Sequence, residues 1–316
     1  LLTHDDLAAY ACEIVEPLTI SYRGNIVFTN PPASHGVLLL EILGLIEGSD
    51  LCAMGAQSAE AIHTLVEAKK LAYADRNAAF GDPAFVRNPL PRVLDADYLE
   101  ERRRQIDPSR AIDAPPPGVF PEELGDTTYL CVADRDGNMI SLITSISSEF
   151  GCADLIDGTG ILLNNRGGRG FRAEPGHPNV FGAGKRAMHT LHAYMVQTPD
   201  GKRIAGGTPG GDGQPQWNAQ VLTNLLDFGL DPQAAIDAPR WTAMPGTDPE
   251  FLDRPFELVL EPGFPDETVA QLRARGHRIT AADPHRGGSA HLIVRHPSGV
   301  LIGANDPRTD GGVAGF

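Results

Sequence analysis

The stretch best suited to chemistry is Asp126-Thr127-Thr128. It lies between the linker Ala114-Pro115-Pro116-Pro117-Gly118 and a run that reads as a β-hairpin. Threonine is a good strand former, so a strand that opens on it is ordinary. The same residues suit a second use, because a break before Thr127 would leave a new amino terminus beside a hydroxyl. A threonine hydroxyl is a poor nucleophile at neutral pH and needs a base within hydrogen-bond reach. An α-amino group, with a pKa of about 7.7–8.0, would be tethered to the same residue. Cleavage would create nucleophile and base together.

Other motifs are weaker. "GGTPGGDGQ", residues 206–214, reads either as a plain Gly-rich loop or as a tight turn presenting backbone N–H groups, as an oxyanion site requires. Spacing alone leaves both open. His189 and His192 stand three apart, but no carboxylate completes an H-E-x-x-H arrangement, so no metal is expected. "NVFGAGKR" (179–186) misses the phosphate-loop pattern, with Asn179 in place of the first Gly and Arg186 in place of Ser/Thr. There is no G-x-S-x-G elbow. No cofactor is implied.

These residues must be positioned by two segments of different texture. Residues 1–126 lean helical. Thr3 caps a short opening helix with an acidic first turn, Gly36–Leu45 is a short apolar helix, and Ser58–Phe80 is the clearest helix. Residues 98–106 ("YLEERRRQI") read as a charged, solvated helix. From 127 onward come three strand–turn–strand units. They are Tyr129–Ala133 with Met139–Ser145, Ala193–Gln197 with Arg203–Ala205, and His291–Arg295 with Val300–Gly303. Their turns carry Gly137, Gly201 and Gly299, which accept the positive φ such turns need. Helices are expected at Gln216–Phe228 and Glu267–Arg275. Hairpins with intervening helices argue α+β rather than a βαβ array.

Composition sets the outer limits. The 316 residues, 41% apolar and 21% charged, can bury a sizeable core. A net charge of −15 argues against a nucleic-acid partner, and no apolar run is long enough to imply a membrane span. Four scattered cysteines form no C-x-x-C pattern and no disulfide framework. The chain opens without an initiator Met or a signal-peptide pattern, as if in the middle of something longer. The compartment stays open, with the cytoplasm favoured over the periplasm or secretion.

An ordered set of motifs carries a resemblance. "GDTTYLCVADRDGNMISLITSISSEFG", "GILLNN", "NVFGAGKR", "GTPGGDGQPQ", "DAPRW" and "GANDPRTDGGVAGF" occur in sequence, preceded by "LTHDDLAAY", "NPPASHG" and "EAKKLAYADRNAAFGDP". Together they resemble the γ-glutamyltransferase family of N-terminal-nucleophile hydrolases across nearly the whole chain. "GGDGQPQ" with "HT" and "NNRG" is closest to its oxamate amidohydrolase-like branch. The resemblance implies a four-layer αββα sandwich and a precursor that cuts itself after Asp126. Residues 1–126 would then be the late part of a large subunit and 127–316 the small subunit, and the two would stay associated. Roughly two hundred earlier residues of the large subunit would precede the chain.

The same resemblance assigns Thr127 as nucleophile, Ser145 as its supporting hydroxyl, and Gly210 and Gly211 as the oxyanion donors. Ser147 stands where the family's transpeptidases have Asn. Arg169 stands where they have an Asp that pairs with a substrate ammonium. A guanidinium at Arg169 or at Arg166 would instead favour a carboxylate. His189 and Thr190 replace a Ser-Ser pair, and Asp212 and Gln214 follow the glycines. The expected activity is hydrolysis, by acyl transfer, of a small carboxylate-bearing amide. The alternatives are a γ-glutamyl hydrolase or transpeptidase, with Asp212 taking the ammonium, and an uncleaved, non-catalytic binding homologue. A homo-oligomer is possible.

Overall fold

The computed structural model describes residues 3–113, 127–248, 254–282 and 287–316. The first segment contains α1 (His4–Ala9), β1 (Leu18–Tyr22), β2 (Asn25–Thr29), α2 (Gly36–Ile46), α3 (Leu51–Met54), α4 (Ala59–Ala79), α5 (Leu90–Val93) and α6 (Ala96–Arg103). The second begins with β3 (Thr127–Ala133), β4 (Met139–Ser145), β5 (Leu155–Ile156), β6 (Ile161–Leu162) and α7 (Arg166–Gly170). It continues with β7 (Tyr194–Gln197), β8 (Arg203–Gly207), α8 (Gly213–Leu226), α9 (Pro232–Asp237) and β9 (Trp241–Met244). Last come β10 (Glu257–Leu260), α10 (Asp266–Ala274), β11 (Ile279–Ala281), β12 (His291–Arg295) and β13 (Leu301–Asn305). Asp126 lies outside the described residues, and Thr127 opens β3.

The main sheet has six strands in the order β1-β2-β7-β8-β12-β13. Its three hairpin pairs are antiparallel, and β2 pairs with β7 across the two segments. The segments therefore share one sheet and one core. Alternation divides its faces. Val196, Ile204, Leu292 and Val294 pack into the core that holds α2, α4 and α8. On the other face, Gly207 and His291 meet Tyr129 of the β3–β4 hairpin.

That hairpin is a two-stranded second layer. Its outer face carries Leu130, Val132, Ile140 and Leu142, all exposed. A three-stranded sheet, β9-β10-β11, packs beside α4 and α8. There β10 and β11 run parallel, joined through α10, whereas the other strand pairs among the described residues are antiparallel.

Most expected elements form. Ser58 caps α4 by accepting the Ala61 N–H at 3.0 Å, and Thr3 makes a capping box with Asp6 on α1. The first segment leans helical as expected, but it also contains a hairpin the motifs did not mark. β1 and β2 form a hairpin around Arg23-Gly24, in which Leu18, Ile20 and Tyr22 on one strand and Val27 and Thr29 on the other turn inward with a period of two. One reading is corrected: the helix near residue 100 is not simply solvated. Leu99 and Arg102 of α6 are buried, and Arg102 pairs with Asp75 of α4 at 2.7 Å.

Candidate active site

Stacking of β3 on β8 brings the candidate residues to one end of the sandwich. The turn of the hairpin sits over the start of β8, where Arg203 reaches the Gly137 carbonyl at 3.4 Å. Further along, Ser141 donates to the Gly206 carbonyl at 3.1 Å, and a Cβ on Gly207 would lie 2.4 Å from Tyr129. The two strands run in opposite senses, so Thr127 lies at the end where β8 releases its chain into Thr208-Pro209-Gly210-Gly211.

Thr127 stands in register with Ser145 of β4. Ser145 Oγ accepts the Ser147 N–H at 2.9 Å. Ser147 is buried at a φ of +72°, a left-handed conformation that non-glycine residues adopt at a cost of order 1 kcal/mol. Strain of this kind marks loops whose geometry matters more than their stability. The next turn, α7, is tied to the same loop. Asn165 donates its N–H to the Ile146 carbonyl at 2.8 Å, and Arg169 donates to the Ser147 carbonyl at 2.6 Å.

Gly210 has φ +126° and Gly211 φ +52°. A Cβ on Gly210 would lie 2.0 Å from the Trp217 ring, so only glycine fits. The Gly210 and Gly211 carbonyls accept from Gly213 and Gln214 as α8 begins. Among the described residues, neither glycine's N–H donates in a backbone–backbone hydrogen bond. The turn is a compact nest of the kind that receives an anion.

The remaining candidates lie on α7, on the loop between α7 and β7, and at the start of α8. Arg166 donates to Thr190 Oγ1 at 3.3 Å. His189 exchanges backbone hydrogen bonds with Ala33 and His35, and the His192 N–H reaches Gln214 Oε1 at 3.4 Å. Arg76 Nε donates to His35 Nε2 at 2.9 Å, so the ring proton sits on Nδ1, 3.5 Å from Asp212 Oδ1. Burial, with Arg76 and Arg166 nearby, holds His35 far below the usual histidine range. Burial and Arg166 push His189 down to about 4, and burial does the same to His192. All three are neutral at pH 7. Ser147 Oγ, His189 Nδ1, Gln214 Nε2 and Asn218 Oδ1 are buried with no protein partner. Each buried orphan of this kind calls for a polar partner.

The two arginines differ. Arg169 Nε pairs with Asp248 at 2.8 Å, both side chains buried, so its guanidinium is already engaged within the protein. Asp212 is engaged likewise. Its oxygens accept the Thr247 N–H at 2.6 Å and the Thr247 hydroxyl at 2.7 Å. Arg76, His35, Thr247 and Asp248 were absent from the motif reading. "NPPASHG" contains His35 and "EAKKLAYADRNAAFGDP" contains Arg76, but nothing local flags Thr247 or Asp248.

A different histidine group, His63, Glu67 and His277, has metal-like proximity. Hydrogen bonds account for it. His63 and His277 bond each other at 2.7 Å, and Glu67 accepts from Lys70 and the Ile112 N–H. A groove of 560 Å³ runs beside β4 along β2, β7 and β8 and holds none of the candidate residues.

Comparison with known proteins follows the geometry. A family model, gamma-glutamyltranspeptidase, matches residues 1–316. The glutathione hydrolase-like YwrD proenzyme of Bacillus subtilis (strain 168) is 38% identical over 318 residues, covering 100% of this chain and 58% of that protein. The oxamate amidohydrolase proenzyme of Klebsiella pneumoniae subsp. pneumoniae is 33% identical over 317 residues, covering 100% of this chain and 58% of that protein. Cephalosporin acylase from Bacillus halodurans superposes with a TM-score of 0.86 at 37% identity, covering 100% of this chain and 55% of that one. The α+β fold class expected from the sequence agrees with this neighbour. The chain spans little more than half the length of these relatives.

Proposed function

The chain belongs to the gamma-glutamyltranspeptidase family, and from that premise we propose that it carries the catalytic end of a self-processing N-terminal threonine amidohydrolase. One observation carries the reading. Thr127, in register with Ser145, opens a strand antiparallel to β8, at the end where β8 leads into the positive-φ turn of Gly210 and Gly211.

After cleavage between Asp126 and Thr127, the α-amino group of Thr127 takes the hydroxyl proton as Oγ attacks an amide carbonyl. The Gly210 and Gly211 N–H groups receive the oxyanion. The C–N bond breaks, the amine leaves with the proton, and water releases the acyl group from Oγ. Ser145 supports the hydroxyl. The substrate is a small amide bearing a carboxylate, which Arg166 binds with Thr190. Arg166 is preferred to Arg169 because it reaches the Thr190 hydroxyl, whereas Arg169 spans Asp248 and the Ser147 carbonyl.

Intact-mass analysis of the active protein tests this directly. The expected result is two polypeptides, the second beginning at Thr127. Thr127→Ala should fold, remain uncut and lose hydrolysis. An active protein intact across 126–127 would defeat the reading. Turnover of γ-glutamyl-p-nitroanilide with none of oxamate would move the substrate to the γ-glutamyl class.

A further inference from the structure

We propose that residues 245–248 are a positioning strap that couples the hydroxyl side of the site to its oxyanion side. The inference rests on the acyl-transfer reading for its functional meaning, but its geometry stands apart from it. Three successive anchors hold the strap. Lys69 of α4 donates to the Pro245 carbonyl at 2.5 Å. Thr247 gives both its N–H and its hydroxyl to Asp212, which sits directly after the glycine nest. Asp248 pairs with Arg169, whose other nitrogen holds the Ser147 carbonyl at 2.6 Å.

The path is continuous. It runs from Ser145 through Ser147, Arg169, Asp248 and Thr247 to Asp212 and Gly211. From Ser147 to Asp212 each residue is buried, so those hydrogen bonds act in a low dielectric and losing one leaves a buried group unpartnered; Ser145 is half-buried. Gly246 belongs to the device, since a Cβ there would lie 2.4 Å from an Asp212 oxygen and would wedge the strap off its anchor. Ser147 is held at a positive φ from both sides, by Ser145 on its N–H and by Arg169 on its carbonyl. The strap therefore sets the distance between the nucleophile's support and the donors that receive the oxyanion.

Arg169 is on this account a positioning residue rather than a ligand for substrate. Asp212 likewise orients the nest and does not receive an ammonium. Small displacements matter in such a site, because a shift of about 1 Å in a positioned group can lower a rate by about a hundredfold.

The test uses the whole protein and three variants: Thr247→Val, Asp248→Asn and Arg169→Lys. Hydrogen exchange is followed in peptides covering 145–149 and 209–214, and kcat and KM are measured separately. Thr247→Val should speed exchange at 145–149, the far end from the substitution, and Arg169→Lys should speed it at 209–214. In both, kcat should fall by about ten- to a hundredfold with KM within about twofold. Arg169→Lys keeps the charge and the fold, so it guards against a variant that fails by unfolding. Exchange that rises only beside each substitution, or a folded variant with unchanged kcat in an active parent, would overturn the strap. A parent without activity but with coupled exchange would sink the acyl-transfer reading and leave the strap standing.

Discussion

Arg166 and Arg169 stand three residues apart on one helical turn and have different fates. Arg169 is matched by Asp248, while Arg166 reaches Thr190 beside two neutral histidines. Arg166→Met should raise KM for a carboxylate-bearing amide by about ten- to a hundredfold, the worth of one charge-assisted hydrogen bond, with a smaller change in kcat. Steady-state kinetics on paired substrates, with and without the carboxylate, checks this; equal KM changes on both would remove Arg166 from recognition. The sequence showed that two cations followed "GILLNN" but not that Arg169 meets Asp248, because that carboxylate lies 79 positions away. Gly210 was legible as a turn residue, but the reason no other side chain fits, the Trp217 ring, is a tertiary contact.

At the level of elements, periodicity was a good guide wherever one face of a helix or hairpin is buried. α4, α8, α10 and the hairpins β3–β4, β7–β8 and β12–β13 lie within a few residues of the expected ranges. It failed for short strands. β9 and β11 have four and three residues, too few for alternation to register. It also misjudged α6, where a charged sequence hides a buried cation. Arg102 forks onto Asp75, with Nε at 3.1 Å and Nη2 at 2.7 Å, and Tyr98 joins the same carboxylate at 2.6 Å. Next to them, burial and the neighbouring Asp75 keep the Glu41 carboxyl far above the usual carboxylate range, so it is neutral. Removing the cation leaves Asp75 uncompensated. Arg102→Met should destabilise the fold by about 3–5 kcal/mol in urea or thermal unfolding, against under about 1 kcal/mol for a solvated pair.

Across the whole molecule, buried neutral histidines set the acid limit. His189 and His192 are pushed down to about 4 and His277 to about 3, each chiefly by burial. An unfolded histidine takes up a proton near 6.5, so below that pH the unfolded chain binds protons that the folded one refuses. Stability should therefore be nearly constant above pH about 6.5 on their account. It should fall toward pH about 4, by about 1.4 kcal/mol per pH unit for each histidine. Thermal melts between pH 8 and 4 would show the decline, and a flat profile would mean these rings are charged in the fold.

The six-stranded sheet has one more implication. β2 precedes the Pro-rich stretch and β7 follows it, yet Phe28 and Met195 sit side by side in the same ladder. A scission between 126 and 127 would turn unfolding into dissociation of two molecules. Dilution would then weaken the fold in a way the unbroken polypeptide never experiences, and recovery from denaturation would wait on an encounter between strangers rather than on the folding of one chain.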